Sequence, residues 1–533
     1  MNTEQSPEVV HRLSGTEFST PARPPPATPA GSRSPMRISP LTRQDGEDAW
    51  LASRIQLKNL EQVVTAMTPQ ILRTVACALA GLVTSAAALS GGTLPAHAAS
   101  GLESVIASFG ITDYRLTSVQ GSGDITNPLQ YAIADPGTAQ KAHVVRLPAG
   151  SYTLRSSIRM AGYVYLIADD DASITLTAPA AQMLQFTSLP AAGVSGGSWS
   201  AGTKGTANVF GLTGSSAVFK NLSITKAGKH GIAAYAKSAV AVRDVDITAS
   251  ERDGIHVRAS VLSATRLHST YNRNNGVQLS EGSTGTISDS QISFNGQAVT
   301  GSTTGKTGHG LGVANSWATV LNSDLSDNKV CGISTTGPSG LTVRNSTLNR
   351  NGRHGLGTTA GGVISFTDTT VVGNHYNGVL ITGSGTRATL TRVKIADSDA
   401  YGISLPGRGS VILTDTVVSG SGKTNVAASQ KSAITLISGN TITGAGAHGI
   451  ALASKSRLTV SGSSNVISDN RTNGLMLSDR STSGTIRASV SFVGNHQVGV
   501  VVRKKASLQM VHCEFVANPT ATATRSGGKT KKL

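Results

Sequence analysis

The sequence predicts an all-β chain, a right-handed parallel β-helix (solenoid) with a short N-terminal capping helix, from three observations. A glycine followed by Ile, Leu or Val recurs about every 23 residues. Asparagine falls four residues before many of these glycines. Aromatic residues make up only 4% of the 533 residues, while 60 are glycine. A period of about 23 with short alternating strands suits coils that each bury small branched side chains against the next. A compact core would draw on more aromatic volume.

The repeat is anchored by Gly231, Gly254, Gly276, Gly310, Gly332, Gly355, Gly378, Gly402, Gly449, Gly474 and Gly499. The long gap from Gly276 to Gly310 holds an insertion around Gly296–Gly308, rich in Gly, Ser and Thr. The gap from Gly402 to Gly449 is two coils, with Asn425-Val426 replacing Gly-Ile midway. Strand alternation puts Ile255, Val257, Val277 and Leu279 inside, and His256, Arg258 and Gln278 outside. Glycine is expected to fit a tight corner before each strand. Asn272, Asn328, Asn351, Asn374, Asn470 and Asn495 should stack one above another as a structural amide ladder.

Residues 101–226 read as the start of the same solenoid. Asn127-Pro128-Leu129-Gln130 opens a short helix with proline at its first position, placed to cover the first coil. Val144–Leu147 and the run Pro148 to Tyr152 read as strand, turn, strand. The expected organisation is a β-helix domain over 99–518 and a basic flexible tail over 519–533. Residues 67–98 form a signal peptide: Arg73 is the positive start, Val75 to Leu89 the apolar core, and Ala96-His97-Ala98 the cleavage site. Residues 1–66 are polar and proline-rich, a disordered extension or an over-extended start. These features place the mature chain in a secreted, periplasmic or cell-surface setting, with no stable membrane insertion after signal cleavage, and as a monomer. Cys331 and Cys513 lie about eight coils apart, beyond disulfide reach.

Residues 99–533 hold 38 Lys or Arg against 22 Asp or Glu. That excess attracts polyanions: nucleic acid, anionic lipid or acidic polysaccharide. Export and sparse aromatics argue against nucleic acid, leaving an acidic polysaccharide as the partner.

The run Gly121-Ser122-Gly123-Asp124 to Leu147-Pro148-Ala149-Gly150-Ser151-Tyr152, followed by the Gly-Ile coils, resembles the pectate-lyase-like superfamily over roughly residues 101–518. The resemblance implies one of several activities, since that superfamily holds polysaccharide lyases, galacturonan hydrolases, alginate C5-epimerases, tail spikes and unassigned surface proteins. Asp253-Gly254-Ile255 and Gly308-His309-Gly310 are similar to two hydrolase motifs. The middle acidic pair is replaced by the amides Asn274-Asn275, and hydrolysis needs two working carboxylates. Gly254-Ile255-His256-Val257-Arg258 keeps the histidine of the epimerase Asp-Pro-His-Glu motif but lacks the preceding Asp-Pro and the following acid. The resemblance therefore implies a protein that binds and modifies an acidic polysaccharide by lyase or C5-epimerase chemistry. The alternative is a non-catalytic surface or matrix-binding β-helix.

Outward residues of adjacent coils fall about 4.8 Å apart, so columns can be read from the repeat. They assemble Lys229, His230, Tyr235, Arg252, Asp253, His256, Arg258, Gln278 and His309 near one face. Lyases and epimerases must neutralise a sugar carboxylate and remove the adjacent proton. The expected catalytic residues are His256 as base, Arg258 as carboxylate partner, Tyr235 as acid and Asp253 as orienting group. Lys229, His230, Arg252, Gln278 and His309 are the expected substrate-binding residues. The other reading is a scatter of polar residues on a solvated face. No cofactor and no metal site is expected. Asp253 could hold an ion such as calcium, but nothing in the sequence supports one, and Asp169-Asp170-Asp171 reads as a polar turn.

Overall fold

The computed structural model describes residues 101–202, 207–297 and 307–532. The predicted signal peptide, the segment before it and most of the insertion lie outside the described residues. Within them the chain is a parallel solenoid with a sixteen-stranded, a twenty-three-stranded and a seven-stranded sheet. Each coil pairs in register with the next, as in Ile232↔Ile255↔Val277↔Leu311↔Ile333. The inward residues of these strands are fully buried, and one continuous apolar core results. Four of its six largest side chains, Phe186, Trp199, Phe210 and Phe219, lie in the early coils, and Phe366 and Phe492 further along.

Turning a coil exposes backbone N–H groups that must find acceptors. Here each corner supplies them from the next coil's side chains. At one corner Ser215, Ser238, Ser260 and Ser283 take turns: the N–H of each bonds the hydroxyl one coil on, through Ser316 to Ser339. At the next, Ser290, Ser323 and Ser346 do the same. At the third is the asparagine ladder. Asn272, Asn295, Asn328, Asn351 and Asn374 are joined by amide-to-amide bonds of 3.0 to 3.3 Å. A second run joins Asn470, Asn495 and Asn518.

The anchoring glycines have negative φ, so they are not needed for a left-handed turn. They are needed for close stacking. A Cβ at Gly254 would meet the Gly276 carbonyl oxygen at 2.7 Å, and the same contact recurs at Gly231, Gly310 and Gly474. Left-handed residues lie elsewhere, where the chain bends between the two larger turns of the coil. Asn221, Asp244, Asp289, Asn322, Asn345, Asp368 and Asp415 take φ near +50° there, a conformation that Asn and Asp tolerate best. Arg266 and Arg392 interrupt the column, and each is ion-paired to the Asp one coil earlier, Asp244 and Asp368.

The ends differ in detail from expectation. The predicted capping helix spans Thr126–Ala134 and buries Leu129 and Ile133 against the first coil. It starts two residues earlier than the expected proline start, so Pro128 is its third residue, and Asp124 accepts from the Thr126 N–H and hydroxyl at its start. A second helix, Gly101–Ser108, packs outside the first strands through Ile106, Val144 and Ile167. Lys220 fastens it: Nζ donates to the Ser108 carbonyl at 2.6 Å and lies 3.6 Å from the Phe109 ring centre. Residues 519–533 were expected as a flexible tail, yet Thr520–Arg525 and Lys529–Lys532 are strands continuing two sheets. Alternating Thr, Ala and Lys there supply little core but complete the ladder of backbone bonds. Asp169 forms the expected turn and is held by Arg146. Cys331 and Cys513 form no disulfide. No helix among the described residues is long and apolar enough to cross a membrane.

Candidate active site

The site begins as a polar ladder. In the early coils the residue before the anchoring glycine points inward at the edge of the sixteen-stranded sheet, and its side chain accepts the backbone N–H of its counterpart one coil on. Asn208 accepts from His230, His230 Nδ1 from Asp253, and Asp253 Oδ1 from Asn275. Asn275 Oδ1 in turn accepts from Gly308 and His309 at 3.1 and 3.0 Å, pinning the returning end of the insertion.

Two histidines close on the remaining oxygen of Asp253. His256 Nδ1 lies 3.0 Å and His230 Nδ1 3.3 Å from Asp253 Oδ2. His230 is buried, which lowers its pKa against the pull of Asp253, so the neutral ring accepting the Asp253 N–H is the form that fits. That leaves His256 as the donor to Oδ2. Burial opposes the charge on Asp253, but the hydrogen bond from His256 and the His230 ring beside it outweigh that and hold the carboxyl at about 2. A buried carboxylate bonded to one imidazole nitrogen fixes the tautomer and leaves the other nitrogen as an acceptor. His256 sits on the strand Ile255–Arg258, between buried Ile255 and Val257, with a fifth of its side chain exposed.

Small neighbours make room for it. Ala233 is its partner on the preceding coil and Gln278 on the following one. Gln278 is folded back by Asn275 Nδ2, 2.9 Å from its Oε1, over Gly312, where a Cβ would collide with that oxygen. The Tyr235 ring lies 5.9 Å from the His256 ring. Burial, then the charge of Asp253, raises the Tyr235 pKa, while Arg252 and Arg258 oppose the shift. Tyr235 therefore stays protonated with two guanidinium groups in its electrostatic neighbourhood.

The structure thus brings His230, Tyr235, Asp253, His256 and Gln278 together. Arg252 is exposed beside them, and its backbone N–H bonds the Lys229 carbonyl one coil before. Arg258 is exposed but engaged, with Nε 2.6 Å from Glu281 Oε2. Glu281 was missed by the sequence reading, although it occupies the corner one coil beyond Arg258. His309 is separated from the cluster: it is buried, with Asn275 between it and Asp253 in the ladder. Its further neighbours in the column are Cys331, whose thiol burial pushes up to about 12, and His354.

The family described as the right handed beta helix region matches residues 208–391 and 377–532, more than half of the chain. The chain belongs to this right-handed β-helix family. A comparison with curated proteins finds no match. Among solved structures, this β-helix is similar to the A-module of the mannuronan C-5 epimerase AlgE6 of Azotobacter vinelandii, at 14% identity and TM-score 0.39, over 78% of this chain and 97% of that one. It is similar to the Dettilon tailspike protein at 12% and 0.38, over 66% and 67%. It is also similar to the pectate lyase Pel9A at 14% and 0.29, over 62% and 78%.

Proposed function

We propose that this β-helix binds an acidic polysaccharide and removes the proton beside a uronate carboxylate, as a lyase or a C5-epimerase does. The observation that carries the reading is the buried Asp253 bonded to Nδ1 of the part-exposed His256, which leaves Nε2 as the acceptor that can serve as a base. In the proposed step, His256 Nε2 takes the C5 proton and the electron pair moves into the carboxylate. Arg252 offsets the added charge, joined by Arg258 if the sugar carboxylate displaces Glu281. Tyr235 stays protonated and can give its proton, to the departing glycosidic oxygen in elimination or to C5 from the opposite face in epimerisation. Lys229 and Gln278 flank the chain. Residues 67–98 support export, with the mature chain starting near Ala99, which N-terminal sequencing of exported protein would test.

The deciding experiment incubates the protein with alginate, polygalacturonate and host-type acidic glycans. Ultraviolet absorbance at newly unsaturated ends reports elimination, and proton NMR reports epimerisation. His256→Ala should lower either signal about 10²-fold or more with the fold intact. Turnover unchanged in that variant would overturn the role of His256. The Arg258–Glu281 pair favours one second reading, a binding-only β-helix, because one of the two guanidinium groups near Tyr235 already has a carboxylate partner. Salt-sensitive glycan binding without turnover would select it.

A further inference from the structure

The positive charge of the chain is unevenly placed. Residues 101–386 hold 20 Lys or Arg and 16 Asp or Glu, whereas residues 387–532 hold 18 and 6. The solenoid gives this excess a shape. The turn that follows each strand of the sixteen-stranded sheet leads into strands beginning at Ser410, Ala433, Arg457, Ser483 and Ser507, which are stacked in register. Each of these five turns carries an exposed cation: Arg408, Lys431, Lys455, Arg480, and the pair Lys504 and Lys505. In earlier coils the same turn holds a cation once, Lys237, and otherwise Ala259, Gly282, Asn315, Gly337 or Gly361.

Backbone geometry makes the substitution informative. Arg408, Lys431, Lys455 and Lys505 have φ of 54°, 67°, 69° and 64°, the left-handed region where glycine is the unstrained choice. Long cations stand there against backbone preference, coil after coil. One acid intrudes, Asp479, at 3.8 Å from Lys504 Nζ. Asp415 lies at the bend beyond the next strand, and Asp397 and Asp469 lie at the asparagine corner.

We infer that this ridge is a second binding surface, which holds an extended acidic polysaccharide along the solenoid axis. Five coils at about 4.8 Å each place a row of cations about 20 Å long, suited to a polymer with one anion per repeating unit. The ridge flanks the sheet that carries His256, six strands further along it, or about 30 Å. A chain seated at the dyad and running along the axis reaches the ridge, and contacts at both places add through local concentration. A line of cations with little aromatic surface beside it does not offer the stacking platforms that single-stranded nucleic acid uses. A membrane would meet a plane of cations rather than a single edge.

The inference shares its substrate class with the proposed function but not its chemistry. The test is the triple variant Lys431→Gly, Lys455→Gly, Lys505→Gly, chosen because glycine suits these φ values and serves the same turn in earlier coils. Binding is measured to long-chain alginate and polygalacturonate across a salt series, with single-stranded DNA and phosphatidylglycerol vesicles in parallel. The expected result is about a tenfold or greater loss of long-chain glycan affinity and a shallower salt dependence, with melting temperature unchanged or raised. His256→Ala should keep long-chain affinity. Unchanged glycan affinity in the triple variant overturns the ridge alone. A loss confined to DNA or vesicles overturns the choice of polysaccharide. No glycan binding by the unmodified protein overturns the ridge's partner and the substrate class together, whereas retained binding without turnover overturns only the chemistry at His256.

Discussion

Asp253 Oδ2 stands 3.0 Å from His256 Nδ1, three residues apart across the start of one strand. The bond needs the carboxylate, since an amide in its place can turn its NH₂ group toward the ring and favour the wrong tautomer. Asp253→Asn is therefore expected to lower turnover on the uronate polymer by about 10²- to 10⁴-fold while leaving polymer affinity within a few-fold. Single-turnover kinetics beside equilibrium binding would check the split.

The asparagine corner should carry measurable stability. Asn328 donates to the Ile292 carbonyl, the Ser326 carbonyl and Asn351, and accepts from Asn295. Asn328→Ala strands several buried groups and should cost about 2–4 kcal/mol, read as a lower urea midpoint. Ser398 stands where the ladder breaks, and its buried hydroxyl has no hydrogen-bond partner. Ser398→Ala should leave the midpoint unchanged or raise it.

His354 supplies a pH signature. Burial, followed by Arg353 and His309, lowers its pKa from 6.5 to about 4. The unfolded chain then binds a proton that the folded one refuses between these values, so stability falls as pH drops from about 6.5 to 4. The full loss is roughly 3 kcal/mol. His354→Asn matches the residue type at Asn377 one coil on and should flatten that part of the stability–pH curve.

Lys220 should decide whether the first helix stays docked. Its ammonium bonds both the carbonyl and the hydroxyl of Ser108. Burial lowers its pKa to about 8, so these bonds offset a real desolvation cost. Lys220→Ala should speed amide exchange across Gly101–Ser108 by about tenfold or more, for roughly 1.5–3 kcal/mol lost. Exchange in the asparagine-ladder coils should not change.

The repeat was legible because its period is written in residues that have no substitute. Each anchoring glycine is fixed by a neighbouring carbonyl, and each ladder asparagine by two coils at once. Asn295 was missed because the insertion separates it from Gly310, so the four-residue spacing fails there although the ladder does not. The bend column of Asn, Asp and Arg was missed because its meaning lies in φ, which spacing does not reveal. In the site, reading columns placed His256, Asp253 and Tyr235 together. It could not show that Asp253 and His230 turn inward, nor that Arg258 reaches across a coil to Glu281. The flexible-tail expectation failed because backbone pairing, not side-chain burial, holds Thr520–Arg525.

The in-register stacking of the coils also sets how this chain can fold. Paired residues lie 21 apart at His143 and Val164 and 34 apart at Val277 and Leu311, so each coil-to-coil pairing closes a loop of similar, modest size. Most all-β proteins fold slowly because their partners are distant in sequence; here the entropy of each closure is nearly constant. The rings of Phe186, Phe210 and Phe219, with Trp199, meet at 4.7 to 5.6 Å across consecutive coils, a cluster of four fully buried aromatic rings. They are the natural nucleus, from which order spreads to each neighbouring coil in turn. Lengthening such a protein by further coils adds steps to that progression without making any step harder.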